Sequence, residues 1–241
     1  MTRTSALVSF ILASGSVARA NVLRQAGIDP MIAVPDVDEA AILADLNANG
    51  QASPADQVQA LAKAKAEASL EALPLSTTGR EFVSSGRPGI LVACDSMLEF
   101  EGQMQGKPHD PAIAKERIGK MQGHKATLWT GHTMIYLDPT TWRVDSYSRP
   151  LAKHSRRVNG TASTTIHFGH MSEAEIDAYV ATNEPLEVAG SFTIDGLGGP
   201  FITGVDGDPH SVIGISLPLL RKLADELDVF WPNLWSRSSR G

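Results

Sequence analysis

An α/β sheet with flanking helices is the fold class this sequence predicts, and three observations predict it. Short apolar runs alternate along the chain with stretches of helical periodicity. The first run, Ala6–Ala13, meets the first helical stretch, from Val17, through a small polar turn, Ser14-Gly15-Ser16. Ile90–Cys94 is almost wholly apolar, as a central strand covered on both faces should be. Strands and helices in alternation pack as a sheet between helical layers.

The elements follow in chain order. Ala6–Ala13 reads as a buried strand rather than as the core of a secretory leader, because the run is short, contains Ser9 and passes into a turn and an amphipathic segment. In that segment Ala18, Val22 and Ala26 share a helix face and Gly27 supplies the stop. Ile32–Val37 reads as a strand ending in Asp38-Glu39, and Ser53–Leu73 as a long helix entered through Ser53-Pro54. Ser76–Pro88 reads as a loop, Ile90–Cys94 as a strand, and Met97–Phe100 with Gly102–Gly106 as a short hairpin. Asp110–Met121 is a predicted helix and Thr127–Leu137 a predicted strand. The polar, basic stretch Asp138–Gly160 is expected to be a hairpin end or a surface excursion, before another strand at Thr161–Phe168. Ser172–Thr182 starts with a capping box, Ser172 and Glu175. Glycine-rich elements at Phe192–Gly199 and Pro200–Val205 precede an amphipathic helix at Leu217–Leu227. Residues 1–235 are expected to form one domain, and Ser236–Gly241 a disordered tail.

Composition narrows the function. The net charge of −6 argues against a general nucleic-acid binder, which needs a basic face. The basic stretch between Arg143 and Arg157 has only Trp142 and Tyr147 for stacking and reads as a solvated loop. A single cysteine, Cys94, forms no internal disulfide and fits a reducing, cytoplasmic compartment. No apolar run nears the ~20 residues of a membrane span.

Individually, the residues that could carry chemistry have ordinary alternatives. A strand–turn–helix such as Ser14-Gly15-Ser16 offers unpaired N–H groups and a helix dipole to an anion, with hydroxyls from Ser14 and Ser16 and a charge from Arg19; it equally suits a plain turn. Asp95, directly after an apolar run, could bind a hard metal, accept a proton, or cap a turn. Glu39 with Asp38 could add a second carboxylate on that edge or form a solvated pair. Lys107, between Gly106 and Pro108, and Lys65 on its helix suit phosphate oxygens, whereas Lys63 faces elsewhere and reads as a surface lysine. Cys94 has no activating base nearby and reads as an inert thiol.

Taken in order, these short motifs resemble the Maf family, the septum-formation-inhibitor-like nucleotide pyrophosphatases. The resemblance runs from Leu12-Ala13-Ser14-Gly15-Ser16-Val17-Ala18-Arg19 through Val37-Asp38-Glu39, Leu61-Ala62-Lys63-Ala64-Lys65-Ala66, Ala93-Cys94-Asp95-Ser96 and Gly106-Lys107-Pro108. It continues through Thr130-Gly131, Glu184-Pro185-Leu186, Ala189-Gly190-Ser191-Phe192, Asp195-Gly196-Leu197-Gly198 and Val212-Ile213-Gly214-Ile215. It covers about residues 7–229. It implies a mixed, twisted sheet with two lobes around a nucleotide cleft, usually in a homodimer. It also implies hydrolysis of a nucleoside triphosphate to monophosphate and pyrophosphate with Mg²⁺, Mn²⁺ or a similar divalent metal. In this resemblance Ser14, Ser16, Arg19 and Lys65 would face phosphates, with Lys107 beside them in a catalytic role. Glu39 and Asp95 would hold metal or activate water, Asp95 as base, ligand or both.

Two departures qualify the resemblance. Val17-Ala18 stands where the family places Pro-Arg, so one cation and the helix-starting proline are missing. A lost charge-assisted contact would cost about one to a few kcal/mol of binding. Asp195 replaces the glutamine of the pyrimidine-nucleotide subgroup, and a carboxylate there suits a guanine edge or a cationic methylated base such as that of 7-methyl-GTP. The Val17-Ala18 change also motivates an alternative, a catalytically weakened nucleotide-binding regulator of cell division.

Overall fold

The computed structural model describes residues 7–48, 50, 52–138 and 156–236. The strands are β1 (Ser9–Leu12), β2 (Met31–Ile32), β3 (Gly89–Phe100), β4 (Gln103–Gln105), β5 (Lys125–Leu137), β6 (Arg157–Phe168) and β7 (Ile202–Asp206). The α-helices are α1 (Val17–Gln25), α2 (Glu39–Ala48), α3 (Pro54–Ala72), α4 (Thr77–Ser85), α5 (Pro111–Met121), α6 (Glu173–Ala181), α7 (Pro209–Ile213) and α8 (Leu217–Glu226). The strands form one mixed seven-stranded sheet in the order β2-β1-β3-β5-β6-β7, with β4 also on β3. β1 runs parallel to β2 and β3, and the remaining pairs are antiparallel. The expected mixed sheet flanked by helices is therefore present.

The register of β3 leaves a break in its pairing. β5 pairs with β3 continuously from Gly89 to Glu99. On its other side β3 meets β1 only as far as Val92 and β4 only from Leu98 onward. Ala93–Met97 therefore have a strand neighbour on one side only, and the pairing has a gap between the end of β1 and the start of β4. The packing divides at the same place. Around the β1 half, β3 side chains alternate between a core with α1 and α8 (Leu23, Val92, Leu220) and one with α3 and α4 (Leu70, Phe82, Leu91). Beyond the gap, Leu98, Phe100, Leu128, Ile166 and Phe192 form a separate core, with α5 and α6 packed together nearby.

Several helices start as their sequences indicate. Ser53 and Asp56 form a reciprocal capping box on α3, and Ser172 and Glu175 form another on α6. Asp110 caps α5 through the Ala112 and Ile113 N–H groups.

Four expectations are corrected. Ser76–Pro88 is not a loop, because α4 occupies most of it: Ser76 caps the Gly79 N–H at 2.9 Å and Phe82 is buried. The misleading Gly79 is required by close packing, since a Cβ there would lie 1.8 Å from the Leu73 carbonyl oxygen. Ile32–Val37 is not a full strand; β2 stops at Ile32 because β1 ends at Leu12 and gives no further partner. Asp38 and Glu39 accordingly begin α2, with Asp38 Oδ1 accepting the Ala41 N–H at 2.9 Å. Finally, Ile90–Cys94 and Met97–Phe100 are one 12-residue strand, so Asp95 lies within β3 rather than after it. Ser236, placed in a disordered tail, donates its N–H to Gly27 O at 2.7 Å. Residues 237–241 and the basic excursion over 139–155 lie outside the described residues. Arg156, at that excursion's end, bonds Asp228 and Leu227 O, and Arg157 bonds Glu67.

His132 on β5 ties the sheet to α8. It is fully buried; Nδ1–H donates to Thr130 O at 3.1 Å and Nε2 accepts the Ser216 N–H at 2.9 Å. Both bonds require the neutral ring, and burial, aided by Arg19, pushes its pKa down to about 4. Between the unfolded value of 6.5 and about 4 the unfolded chain binds a proton that the folded chain resists. This contribution to stability is thus complete above pH 6.5 and is lost as pH falls toward 4, a loss of about 3 kcal/mol. Urea unfolding at pH 7, 5.5 and 4.5 should show it, with a shallower fall in His132→Gln; equal pH slopes in the two proteins would remove His132 from the account.

Candidate active site

Two contact sets occupy the gap on opposite faces of β3. The first lies under α3. Cross-strand partners share a face, and Asp95 pairs with Gly131 of β5. Gly131 allows α3 to lie directly on the strand: a Cβ there would stand 2.3 Å from Val58 O. Lys65 shares the inward stripe of α3 with Leu61, Ala62, Ala66 and Ser69, whereas Lys63 is exposed. The Lys65 ammonium donates to Asp95 Oδ1 and stands 2.7 Å from Glu39 Oε1 at the start of α2. Two carboxylates from elements far apart in sequence thus meet at one cation. The Lys65 side chain is 13% exposed and that of Asp95 9%, while Glu39 is half exposed.

Burial dominates the electrostatics of Asp95. Desolvation raises its pKa, opposed by the charge and hydrogen bond of Lys65 and, more weakly, by Arg19. A carboxylate so placed is a stronger base than an exposed one. Cys94, on the other face, has its thiol pushed up to about 12 by burial, as suits an inert residue.

The second set centres on Arg19 of α1. Its Nε donates to Gly214 O at 2.7 Å, Nη1 to Ser14 Oγ at 3.1 Å and Cys94 O at 3.0 Å, and Nη2 to Ser96 Oγ at 3.1 Å. Four of the five N–H bonds of a guanidinium are thereby used on the protein. Arg19 joins α1 to β3 and to the turn after α7, leaving little donor capacity for a ligand. Its network has a direction. Thr130 Oγ1 donates to Ser211 O at 3.1 Å, so Ser96 Oγ, 2.9 Å away, donates to Thr130 and accepts from Arg19. Ser14 Oγ accepts from Arg19 and from the Ser16 N–H at 3.2 Å, which leaves its O–H to offer. Ser16 caps α1 through the Arg19 N–H. The loop mouth therefore combines a helix N-terminus with hydroxyl donors. Ala18, at the place of the missing cation, adds none.

The far wall follows β4. Lys107 is half exposed, 3.8 Å from Glu187 Oε2, in a turn secured by Arg117 Nη1 on Gly106 O at 2.9 Å. Asp195 is exposed in the 193–198 turn. Among the described residues no hydrogen bond or ion pair joins either residue to the first two sets, so the structure brings Ser14, Ser16 and Arg19 together, and Glu39, Lys65 and Asp95 together, but joins Lys107 and Asp195 to neither set. Reading the sequence placed Ser96 and Thr130 in motifs without giving them a role, and passed over His132. Their roles depend on cross-strand register, which no local pattern carries.

The described residues contain no group of three or more His, Cys, Asp or Glu side chains placed to hold a metal, and no helix long and apolar enough to cross a membrane. The structure thus presents an open α/β sheet with a strand–turn–helix loop and a buried Lys–carboxylate cluster on opposite faces of β3. Comparison with known proteins supplies the family: the model of the Maf-like protein family matches residues 9–227, and the chain belongs to that family. It is 44% identical over 228 residues to a protein of Mycobacterium sp. (strain JLS), covering 94% of this chain and 98% of the relative. It is 45% identical over 227 residues to one of Saccharopolyspora erythraea, covering 94% and 96%, and 42% identical over 235 residues to one of Rhodococcus opacus (strain B4), covering 98% and 100%. All three relatives are named nucleoside triphosphate pyrophosphatase.

Proposed function

We propose that this chain is a nucleoside triphosphate pyrophosphatase that cleaves between the α- and β-phosphates in the β1–β4 gap. The observation that carries the site assignment is the meeting of Asp95, Lys65 and Glu39 at one point, on the strand that Arg19 ties to the Ser14–Ser16 loop. The triphosphate would lie across the Ser14–Ser16 loop, with N–H and hydroxyl donors on its oxygens. Lys65, and Lys107 from the far wall, would neutralise charge developing on the departing pyrophosphate. Asp95, its proton affinity raised by burial, would take the proton of the attacking water, and Lys65 would hold its carboxylate in place. Arg19 would act chiefly by fixing the loop against β3.

Two converging carboxylates fit a hard divalent cation, which commonly binds through one or two carboxylates and completes its shell with phosphate and water. Asp95 and Glu39 would hold such an ion, and its chemistry there is to acidify water and polarise the attacked phosphoryl group. Asp195 is the proposed reader of the base, which favours modified or non-standard nucleotides. The reading extends to a homodimer in the cytoplasm, consistent with the family resemblance and with a single, buried, unbridged cysteine.

Incubation with a nucleotide panel and Mg²⁺ or Mn²⁺, followed by product identification, tests the reaction. Monophosphate and pyrophosphate are the expected products. Diphosphate with orthophosphate would place the cleavage at the wrong bond. Turnover of UTP or dTTP far above that of 7-methyl-GTP would remove the role given to Asp195.

A further inference from the structure

The 193–198 turn is held by an unusual concentration of bonds on one carboxylate oxygen. Glu184 Oε1 accepts the Thr193 O–H, the Leu197 N–H at 2.9 Å and the Gly198 N–H at 3.4 Å. Thr193 is secured a second time by Tyr179 of α6, whose phenol oxygen accepts the Thr193 N–H at 3.1 Å and lies 3.4 Å from its hydroxyl. Burial pushes that phenol up to about 12, so it stays protonated across the working range. Asp195, Gly196 and Leu197 at the tip remain exposed, Leu197 at 57%. A rigid turn thus presents a carboxylate beside an apolar side chain.

The same segment reaches the turn that follows β4. Glu184 opens a single 3-10 turn, Glu184–Glu187. At its other end Leu186 O accepts the His109 N–H at 3.1 Å, and the Glu187 carboxylate faces Lys107 and His109. One short brace therefore fixes both the Lys107 turn and the Asp195 turn.

We propose that Glu184 is a positioning residue for nucleobase selection, holding the Asp195–Leu197 tip in place before substrate arrives. The inference rests on the pyrophosphatase reading and adds to it. Asp195 supplies the acceptor and Leu197 an apolar contact for a planar base, and Glu184 spares the ligand the cost of ordering them. Selectivity and KM then depend on Glu184, whose carboxylate bonds only the 193–198 turn, while kcat depends on Asp95, Lys65 and Lys107, whose turn is tied by Leu186 O and Glu187 instead.

The test compares wild type with Glu184→Ala, Glu184→Gln and Thr193→Val on UTP, dTTP, CTP, ATP, GTP and 7-methyl-GTP. Hydrogen exchange at the Leu197 and Gly198 amides is followed in parallel. In Glu184→Ala these amides should exchange faster. KM for the best nucleotide should rise about tenfold, as for loss of one charge-assisted hydrogen bond. The spread of kcat/KM across the panel should narrow, with little change in kcat. Glu184→Gln keeps an acceptor oxygen and should recover much of the selectivity. Should Glu184→Ala fail to fold, Thr193→Val, which removes one hydroxyl, should show the same pattern in weaker form. Faster exchange with an unchanged substrate spread would overturn the proposal, as would unchanged exchange. An inactive wild-type protein would instead sink the pyrophosphatase reading; the proposal would then be judged by nucleotide binding to the same variants.

Discussion

Asp95→Asn is expected to lower kcat by about 10³, within the range for loss of a positioned general base, and to leave the fold intact. The substitution is nearly isosteric and leaves an amide oxygen to accept from Lys65. The ammonium also keeps Glu39 at 2.7 Å, so its charge is not stranded. The buried carboxylate itself carries a desolvation penalty, seen in its raised pKa, which the neutral amide avoids. Thermal stability should therefore hold or rise while turnover disappears, the trade expected where a site is built for chemistry. Single-turnover kinetics and thermal melts on one preparation check both halves. Wild-type turnover would exclude Asp95 from the reaction, and collapse of the fold would make it a structural residue.

The second large effect is structural in origin. Gly131→Ala should destabilise the protein by about 3 kcal/mol, the upper part of the range for overpacking. The added Cβ would meet three backbone atoms of α3, Val58 O at 2.3 Å, Val58 C at 2.5 Å and Gln59 N at 2.7 Å, and none can swing aside as a side chain could. Relief requires α3 to rise from β5. That movement carries Lys65 away from Asp95, so activity should fall even in the fraction that remains folded. Urea denaturation and turnover at saturating nucleotide separate the two losses. Wild-type values for both would show that α3 tolerates displacement and that the close approach is incidental.

What the sequence disclosed and what it hid follow from the range of the interactions involved. Ser53, Asp110 and Ser172 bond backbone within three residues of themselves, so their helix starts were readable. Helical periodicity also separated Lys65 from Lys63. The extent of β3 was not readable, because polar Asp95 and Ser96 interrupt its apolar run and break the pattern from which a buried strand is read. α2 was missed because Asp38-Glu39 looked like a strand end, and the helix that Asp38 caps buries none of its residues. The part played by Arg19 was hidden most completely. Its partners Cys94, Ser96 and Gly214 lie between 75 and 195 residues away. A resemblance of motifs marked Arg19 as phosphate-facing, and the structure adds four bonds from its guanidinium to the protein.

The interruption in pairing along β3 has one more consequence. Unpaired strand edges are ordinarily aggregation hazards, since they can template another chain, and proteins keep them short or covered. Ala93–Met97 form such an edge in the interior of a sheet, recessed between β1 and β4 and capped at the Cys94 carbonyl by Arg19. An incoming strand would have to be no longer than the notch and would meet a guanidinium at its base. The fold can therefore interrupt its own sheet at the largely buried Ala93–Met97 segment without offering a seed for fibril growth.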